Sequence, residues 1–255
     1  MDGTARTSLY ATRKETLRMA NPRDVGVTLE DTLQTPIEVD CFPRLLDDVA
    51  ELGLLAEEVF KNASSALLFP SESQAAQSAI EFERHYAVMY RSLHQRSLAL
   101  LERGDFANAA LRRVVEVQQI AAEFLRIADD SRQIAEHALW LAGGADTRLI
   151  EIGGDAPMLM VQLVRQAYVE IRGAVIATTT HDTALAKRLL AEDGELDQLF
   201  LTFKFDIERG IRANPRMAAD LNRLLLIAVL LEDIGNRVAS TCNTILYSIT
   251  SGPLA

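Results

Sequence analysis

Residues 106–144 read FANAALRRVVEVQQIAAEFLRIADDSRQIAEHALWLAGG, and this stretch decides the fold. Val114, Val117, Ile120, Phe124 and Ile127 recur at steps of three or four, and Ile134, Ala138 and Leu141 resume the same stripe. That spacing lines one face of an α-helix and does not fit the two-residue alternation of a half-buried strand. No Pro or Gly interrupts the run before Gly143 and Gly144, so the spacing predicts one long amphipathic helix from about Phe106 to Leu141.

The same pattern extends in both directions. Upstream, a helix is predicted from about Phe42 to Leu68, stopped at Pro70 because proline disfavours helix in the residue before it. A second follows the Ser71 cap, carries Glu72 in its first turn, and runs to Glu102 with Gly104 as terminator. Downstream, Ala145 to Asp155 reads as a linker. Then come a helix from Ala156 to about Ala177, a turn at Thr178-Thr179-Thr180-His181-Asp182, a helix from Thr183 to about Glu208, and after Gly210 a last helix to about Ile249. That is three helices twice. Glu83 and Asp193 are 193 − 83 = 110 residues apart, and Asp129 and Asn236 are 236 − 129 = 107 apart, a nearly constant offset. The prediction is an all-α protein of six long helices in two tandem three-helix bundles, 40–144 and 155–252. Residues 224–231, Leu-Leu-Leu-Ile-Ala-Val-Leu-Leu, are apolar on all faces and are expected to be buried all round or turned toward the other bundle.

Composition narrows the function classes. The chain has 255 residues, of which 49% are hydrophobic and 24% charged, enough to bury a large core and too apolar for disorder as the main state. Thirty-six acidic against twenty-six basic residues give −10, a charge that repels a phosphate backbone, so no nucleic-acid partner is expected. Cys41 and Cys242 have neither the number nor the spacing of a disulfide framework or a zinc site, which points to a reduced, cytoplasmic setting. The longest aliphatic run, Leu224–Leu231, is far short of the ~20 residues needed to span a bilayer. The first 23 residues hold five basic and two acidic side chains with no apolar stretch of the kind a secretory signal needs. With Pro22, Gly26 and Pro36 nearby, residues 1–36 read as an N-terminal extension, a flexible arm or, less simply, a transit-like segment.

No catalytic constellation stands out. None of His85, His94, His137 and His181 follows a Glu by three residues, so the Glu-x-x-His pattern of di-iron carboxylate bundles is missing. Each is expected at the surface or half-buried. No hydroxyl has a spaced His and acid, and no Gly-rich strand-to-helix loop is present to cradle a nucleotide. Arg126 and Arg132, surrounded by Glu123, Asp129, Asp130 and Glu136, are expected to form ion pairs. Trp140 and Tyr247 are expected in core or rim packing.

The segments FLRIADDSRQIAE (124–136) and NPRMAADLNRLLLIAVLLEDIGN (214–236), with Glu192-Asp193-Gly194-Glu195-Leu196-Asp197, resemble the PhoU family of phosphate-uptake regulators. That family carries LERIGDHAxxIAE in the bundle helices of each repeat and an acidic ExxxD or DxxxD signature on the middle helix. The resemblance extends over about Cys41 to Ser251. It implies a two-bundle fold and a non-enzymatic role in phosphate homeostasis. The expected mode of action is contact with a phosphate ABC transporter ATPase and a phosphate-sensing histidine kinase, restraining the phosphate-starvation response. The setting it implies is cytoplasmic, peripheral to the inner membrane face through the transporter, with room for a homodimer.

The resemblance also implies metal ions held by paired carboxylates. Carried over residue by residue, the candidates are Glu83 and Asp129 in the first repeat, and Asp193, Asp197, Glu232 and Asn236 in the second. Ala87 and Leu125 stand where the first repeat should have carboxylates, and Asn236 replaces a fourth in the second. A divalent or iron-type ion is therefore expected in the second repeat rather than a cluster in the first. Asp193 and Asp197, four apart on one helix, would repel by ~0.2–0.5 kcal/mol unless a cation relieved them. An oxygen-only set with Glu232 suits Mg²⁺, Mn²⁺ or Ca²⁺. The alternative is a solvated acidic face broken by a turn at Asp193-Gly194. Two other function classes stand beside the regulator: a carboxylate-based metal-binding protein or metalloenzyme, and a diverged helical bundle serving another transporter.

Overall fold

The computed structural model describes residues 41–69, 71–103, 108–143, 155–192 and 194–250. The expected extension at 1–36 lies outside them, as does the linker except for Asp155. All of the regular structure among the described residues is helical: α1 (Cys41–Leu68), α2 (Ser73–Arg103), α3 (Asn108–Gly143), α4 (Ala156–Thr180), α5 (Thr183–Glu192), α6 (Gly194–Ala213), a 3₁₀ turn (Pro215–Met217) and α7 (Ala218–Thr250). These make six rods, α5 and α6 together being the fifth. Helices α1, α2 and α3 pack against one another pairwise; α4, α6 and α7 do the same, with α5 resting on α4 and α7. The two sets meet where α1 packs on α4 and α3 on α7, so one continuous apolar core runs through both.

The stripe read from residues 106–144 is the buried one: Val114, Val117, Ile120, Phe124, Ile127 and Ile134 are each at most 3% exposed. Burying a side chain of this kind stabilises by about 1.5–3 kcal/mol. At Gly53 on α1 a Cβ would stand 2.9 Å from the Phe124 ring on α3 and 3.2 Å from Val175 on α4. Only glycine lets the three helices come this close. Polar groups join the two sets as well: the Tyr168 hydroxyl on α4 donates to Glu57 Oε1 on α1 at 3.0 Å.

Helix boundaries depart from expectation in two places. Helix α4 continues through Thr178, Thr179 and Thr180, placed in a turn by the sequence reading. The hydroxyls of Thr179 and Thr180 bond back to the carbonyls of Val175 and Ile176, and the turn comes one residue later at His181, whose φ of 52° is the left-handed cap. The helix from Thr183 is described over Thr183–Glu192 and Gly194–Ala213, and Asp182 caps its start by accepting from the Leu185 amide at 2.9 Å. Finally, α6 runs past Gly210 to Ala213, and Asn214-Pro215 stops it instead.

The apolar run at 224–231 is also corrected. Leu224, Ile227, Ala228 and Leu231 are buried, whereas Leu226 is 52% and Val229 37% exposed. Helical geometry sends those two outward regardless of the hydropathy of the run. Tyr247 is 76% exposed and contributes no core packing.

Candidate functional site

The residues of the 124–136 segment sit on α3, along the seam where it meets α7. Asp129 projects from a half-exposed position, and its Oδ1 accepts from Arg132 Nε at 3.1 Å and Nη2 at 2.9 Å, while Gln133 Nε2 donates to its Oδ2 at 3.3 Å. The same guanidinium reaches Glu136 Oε1 at 2.5 Å through Nη1. Three and four residue spacings on one helix make this clasp geometrically natural. Arg126 pairs with Glu123 at 3.1 Å in the same way, so both arginines serve as ion-pair partners, as expected.

Deeper in the seam the charges are less evenly matched. Glu123 Oε1 accepts from Ser240 Oγ on α7 at 3.1 Å, and Arg237 Nε lies 4.0 Å from Glu123 Oε2 and 3.9 Å from Asp130 Oδ2. One guanidinium on α7 thus faces two buried carboxylates on α3. Burial pushes the Asp130 carboxyl up to about 6; Arg237 and Arg126 oppose the rise, and Asp233 and Asp129 add to it. At the other end of the seam, Arg223 donates through Nη1 to His137 Nδ1 at 3.1 Å, and its guanidinium carbon stands 3.9 Å above the centre of the Trp140 ring. Burial first, then Arg223, lowers the His137 pKa against the smaller pull of Glu136. A neutral ring accepting at Nδ1 fits that direction.

Of the six candidate ligands, Asp129, Asp197, Glu232 and Asn236 have described side chains. Glu83 lies on α2, which packs on α3, and its side chain is outside the described residues. Asp193 is likewise outside them. Asp197 is exposed in the first turn of α6 beside Glu195, where the positive end of the helix dipole stabilises a carboxylate. Glu232 and Asn236 stand one turn apart on α7, the Asn236 amide donating to Glu232 Oε1 at 3.0 Å. Among the described residues no group of three or more His, Cys, Asp or Glu is arranged to hold a metal ion. A multinuclear cluster does not fit the described part of the first bundle, because the Asp129 carboxylate is already held by a guanidinium and Ala87 and Leu125 bring no ligand oxygen.

Sequence reading missed the long-range partners. Glu57 and Tyr168 are 111 residues apart, and Glu123 and Ser240 are 117 apart, with no local pattern announcing either bond. The histidines fall where expected: His94 is at the surface, with Nδ1 2.8 Å from Gln118 Oε1, and His85, His137 and His181 are half-buried. Cys242 is buried and forms no disulfide among the described residues. No described helix is long and apolar enough to cross a membrane.

Comparison with known proteins follows the same lines. The family model for the PhoU domain matches residues 49–138. A phosphate-specific transport system accessory protein PhoU homolog of Rhizobium meliloti (strain 1021) is 21% identical over 202 residues, spanning 79% of this chain and 82% of that protein. A homolog so named from Aquifex aeolicus (strain VF5) is 20% identical over 171 residues, 67% of this chain and 73% of its own length. In fold, the crystal structure of PhoU from Pseudomonas aeruginosa superposes with a TM-score of 0.76 at 19% identity, covering 83% of this chain and 98% of that one. The phosphate transport system regulatory protein PhoU from Streptococcus pneumoniae gives 0.69 at 18% identity, covering 84% and 97%.

Proposed function

From the premise that the chain is a PhoU-family protein associated with phosphate transport, we propose that it regulates phosphate uptake by docking, acting as an accessory protein rather than an enzyme. Its partners are the ATPase subunit of a phosphate ABC transporter and a phosphate-sensing histidine kinase, and it works on the cytoplasmic face of the membrane, held there through the transporter. The observation that carries this reading is the alignment with the Rhizobium accessory protein, which runs through most of both chains instead of one motif.

Physical chemistry is consistent with docking. A net charge of −10 disfavours DNA and steers the protein toward basic surfaces on other proteins. Arg126 and Arg132 on the seam are held by carboxylates of their own helix, as a structural role requires. A carboxylate-based metalloenzyme is not favoured, since Asp129 and Glu232 each already accept hydrogen bonds from their own helix.

The test combines genetics with binding. Deletion of the gene is expected to derepress phosphate-starvation genes in phosphate-replete cells. Purified protein is expected to capture the transporter ATPase, more weakly as salt rises, because exposed charges are screened over about 8 Å at physiological ionic strength. Normal starvation control in the deletion strain, together with no binding to ATPase or kinase at low salt, would overturn the reading in favour of a bundle serving a different transporter.

A further inference from the structure

Helices α4 and α6 lie side by side and leave an open groove between them, with Arg165 and Val169 of α4 on one wall and Gln198, Leu199 and Thr202 of α6 on the other. Large apolar side chains are exposed on the same two helices: Met158, Val161 and Val169 on α4, and Leu201 and Phe205 on α6, each between 46 and 61% exposed. The charge of this face is as unexpected as its apolarity on a chain of net −10. The outer side of α4 carries Arg165 and Arg172, and the one acidic residue of that helix, Glu170, is buried. Lys187 and Arg188 are exposed on α5, which rests on α4. Arg165, Lys187 and Arg188 have no ion-pair partner among the described residues. Glu195 is the acidic residue at the groove itself. A face that is apolar and cationic at once, on an acidic protein, is an unusual surface to leave in water.

We propose that residues 24–40 of the same chain lie along this groove. They precede the first described residue, Cys41, and hold five carboxylates, Asp24, Glu30, Asp31, Glu38 and Asp40, with no Lys or Arg. Between the carboxylates stand Val25, Val27, Leu29, Leu33, Ile37 and Val39. Charge and hydropathy both match the face. An acidic segment is repelled by most of an acidic surface and drawn to the strip where Arg165, Lys187 and Arg188 lack counterions. The place where the segment joins the bundle fits as well. The Tyr168–Glu57 bond, and the 3.2 Å that would separate a Gly53 Cβ from Val175, set α1 antiparallel to α4, so α1 starts beyond the α4 end that carries Thr180. At 1.5 Å per residue, Cys41 stands about 18 Å past Val175, about 27 Å from the level of Val169 and about 44 Å from that of Met158. The 17 residues from Asp24 to Asp40 reach at most about 56 Å, enough to run the length of the groove and bring Val25 to Leu33 over it. Any protein that docks on the α4–α6 face then has to displace this segment. The inference goes beyond the transport reading and does not depend on it.

Disulfide trapping in the full chain tests it, in a Cys41→Ser background that leaves Cys242 as the buried native thiol, with circular dichroism as the check on folding. Val27→Cys is paired either with Gln198→Cys in the groove or with Gln119→Cys, which is exposed on α3 within reach of the same segment. Non-reducing electrophoresis and peptide mass mapping separate cross-links within one chain from those between two. The groove pair is expected to close within one chain about tenfold faster than the α3 pair, or more, because docking raises the local concentration of the two thiols. Arg165→Glu is expected to cut that advantage by about threefold or more, and Glu30→Lys with Asp31→Lys, added to it, to restore the rate. Equal rates for the two pairs would overturn the proposal. So would a groove cross-link that forms only between chains, which would assign the face to a second copy, or one whose rate Arg165→Glu leaves unchanged.

Discussion

Two tyrosine-to-phenylalanine substitutions, each removing one oxygen, should move stability in opposite directions. Tyr86 on α2 is 0% exposed, and its hydroxyl has no hydrogen-bond partner among the described residues. Burial, reinforced by Tyr90, holds that phenol well above its ordinary pKa, so it stays protonated and its O–H dipole is desolvated without compensation. A buried polar group left unsatisfied costs about 1–3 kcal/mol, and Tyr86→Phe should recover most of it while the ring keeps its packing. At Tyr168 the hydroxyl donates to the carboxylate of Glu57, itself 1% exposed, and a bond to a charged group contributes about 1.5–3 kcal/mol. Tyr168→Phe should lose that amount, because a buried carboxylate is deprived of a donor. Chemical unfolding followed by far-UV circular dichroism reads both, with midpoints compared at constant slope. In a thermal scan each kcal/mol corresponds to about 2–4 °C for a chain of this length. Destabilisation by Tyr86→Phe would mean that the hydroxyl has a partner, and a neutral Tyr168→Phe would mean that the bond joining α1 to α4 adds nothing; either result refutes the reasoning.

Other perturbations probe the seam and the close contacts. Asp130 titrates near 6 in the fold against ~3.9 unfolded, so its favourable contribution is complete below about pH 4 and lost as pH rises through 6. Discounted for the partly exposed Arg237 beside it, the swing is about 1–2 kcal/mol, and the stability advantage of Asp130→Asn over wild type should grow by that much between pH 4 and 7; a pH-independent difference would contradict the shift. Gly53→Ala should gain about 1 kcal/mol of helix propensity but lose about 1–3 to overpacking against Phe124 and Val175, for a net loss measurable by urea unfolding. Titration calorimetry with Mn²⁺ should show no tight site that depends on Asp129, because Arg132 holds its carboxylate, and any binding detected should vanish in the Asp193→Ala, Asp197→Ala double variant. Retained binding in that variant, lost instead on Asp129→Ala, would reverse the assignment.

Helix order was legible because the rods carry their own apolar stripes and local stops, such as Asn214-Pro215 after α6, that no distant contact has to supply. What escaped was decided by competition between local signals or by distant partners. Thr178 to Thr180 look like a turn by composition, yet two of those threonines satisfy their hydroxyls on helix carbonyls and carry α4 onward. Leu226 and Val229 are as apolar as their neighbours, and only the assembled bundle shows which face of α7 has nothing to lie against. The candidate ligands were hardest to place, because spacing assigns a carboxylate to a face but cannot say that Arg132, three residues on, occupies it.

The left-handed cap at His181 has a consequence for how the bundle breathes. The helical turns that follow it, Thr183–Glu192, fully bury only Ala186 and Leu189. Their opening forfeits few apolar contacts, so their amides should exchange with deuterium through sub-global fluctuations well before those of α3 or α7. Slow exchange there would place the weakest cooperative unit of the second bundle elsewhere.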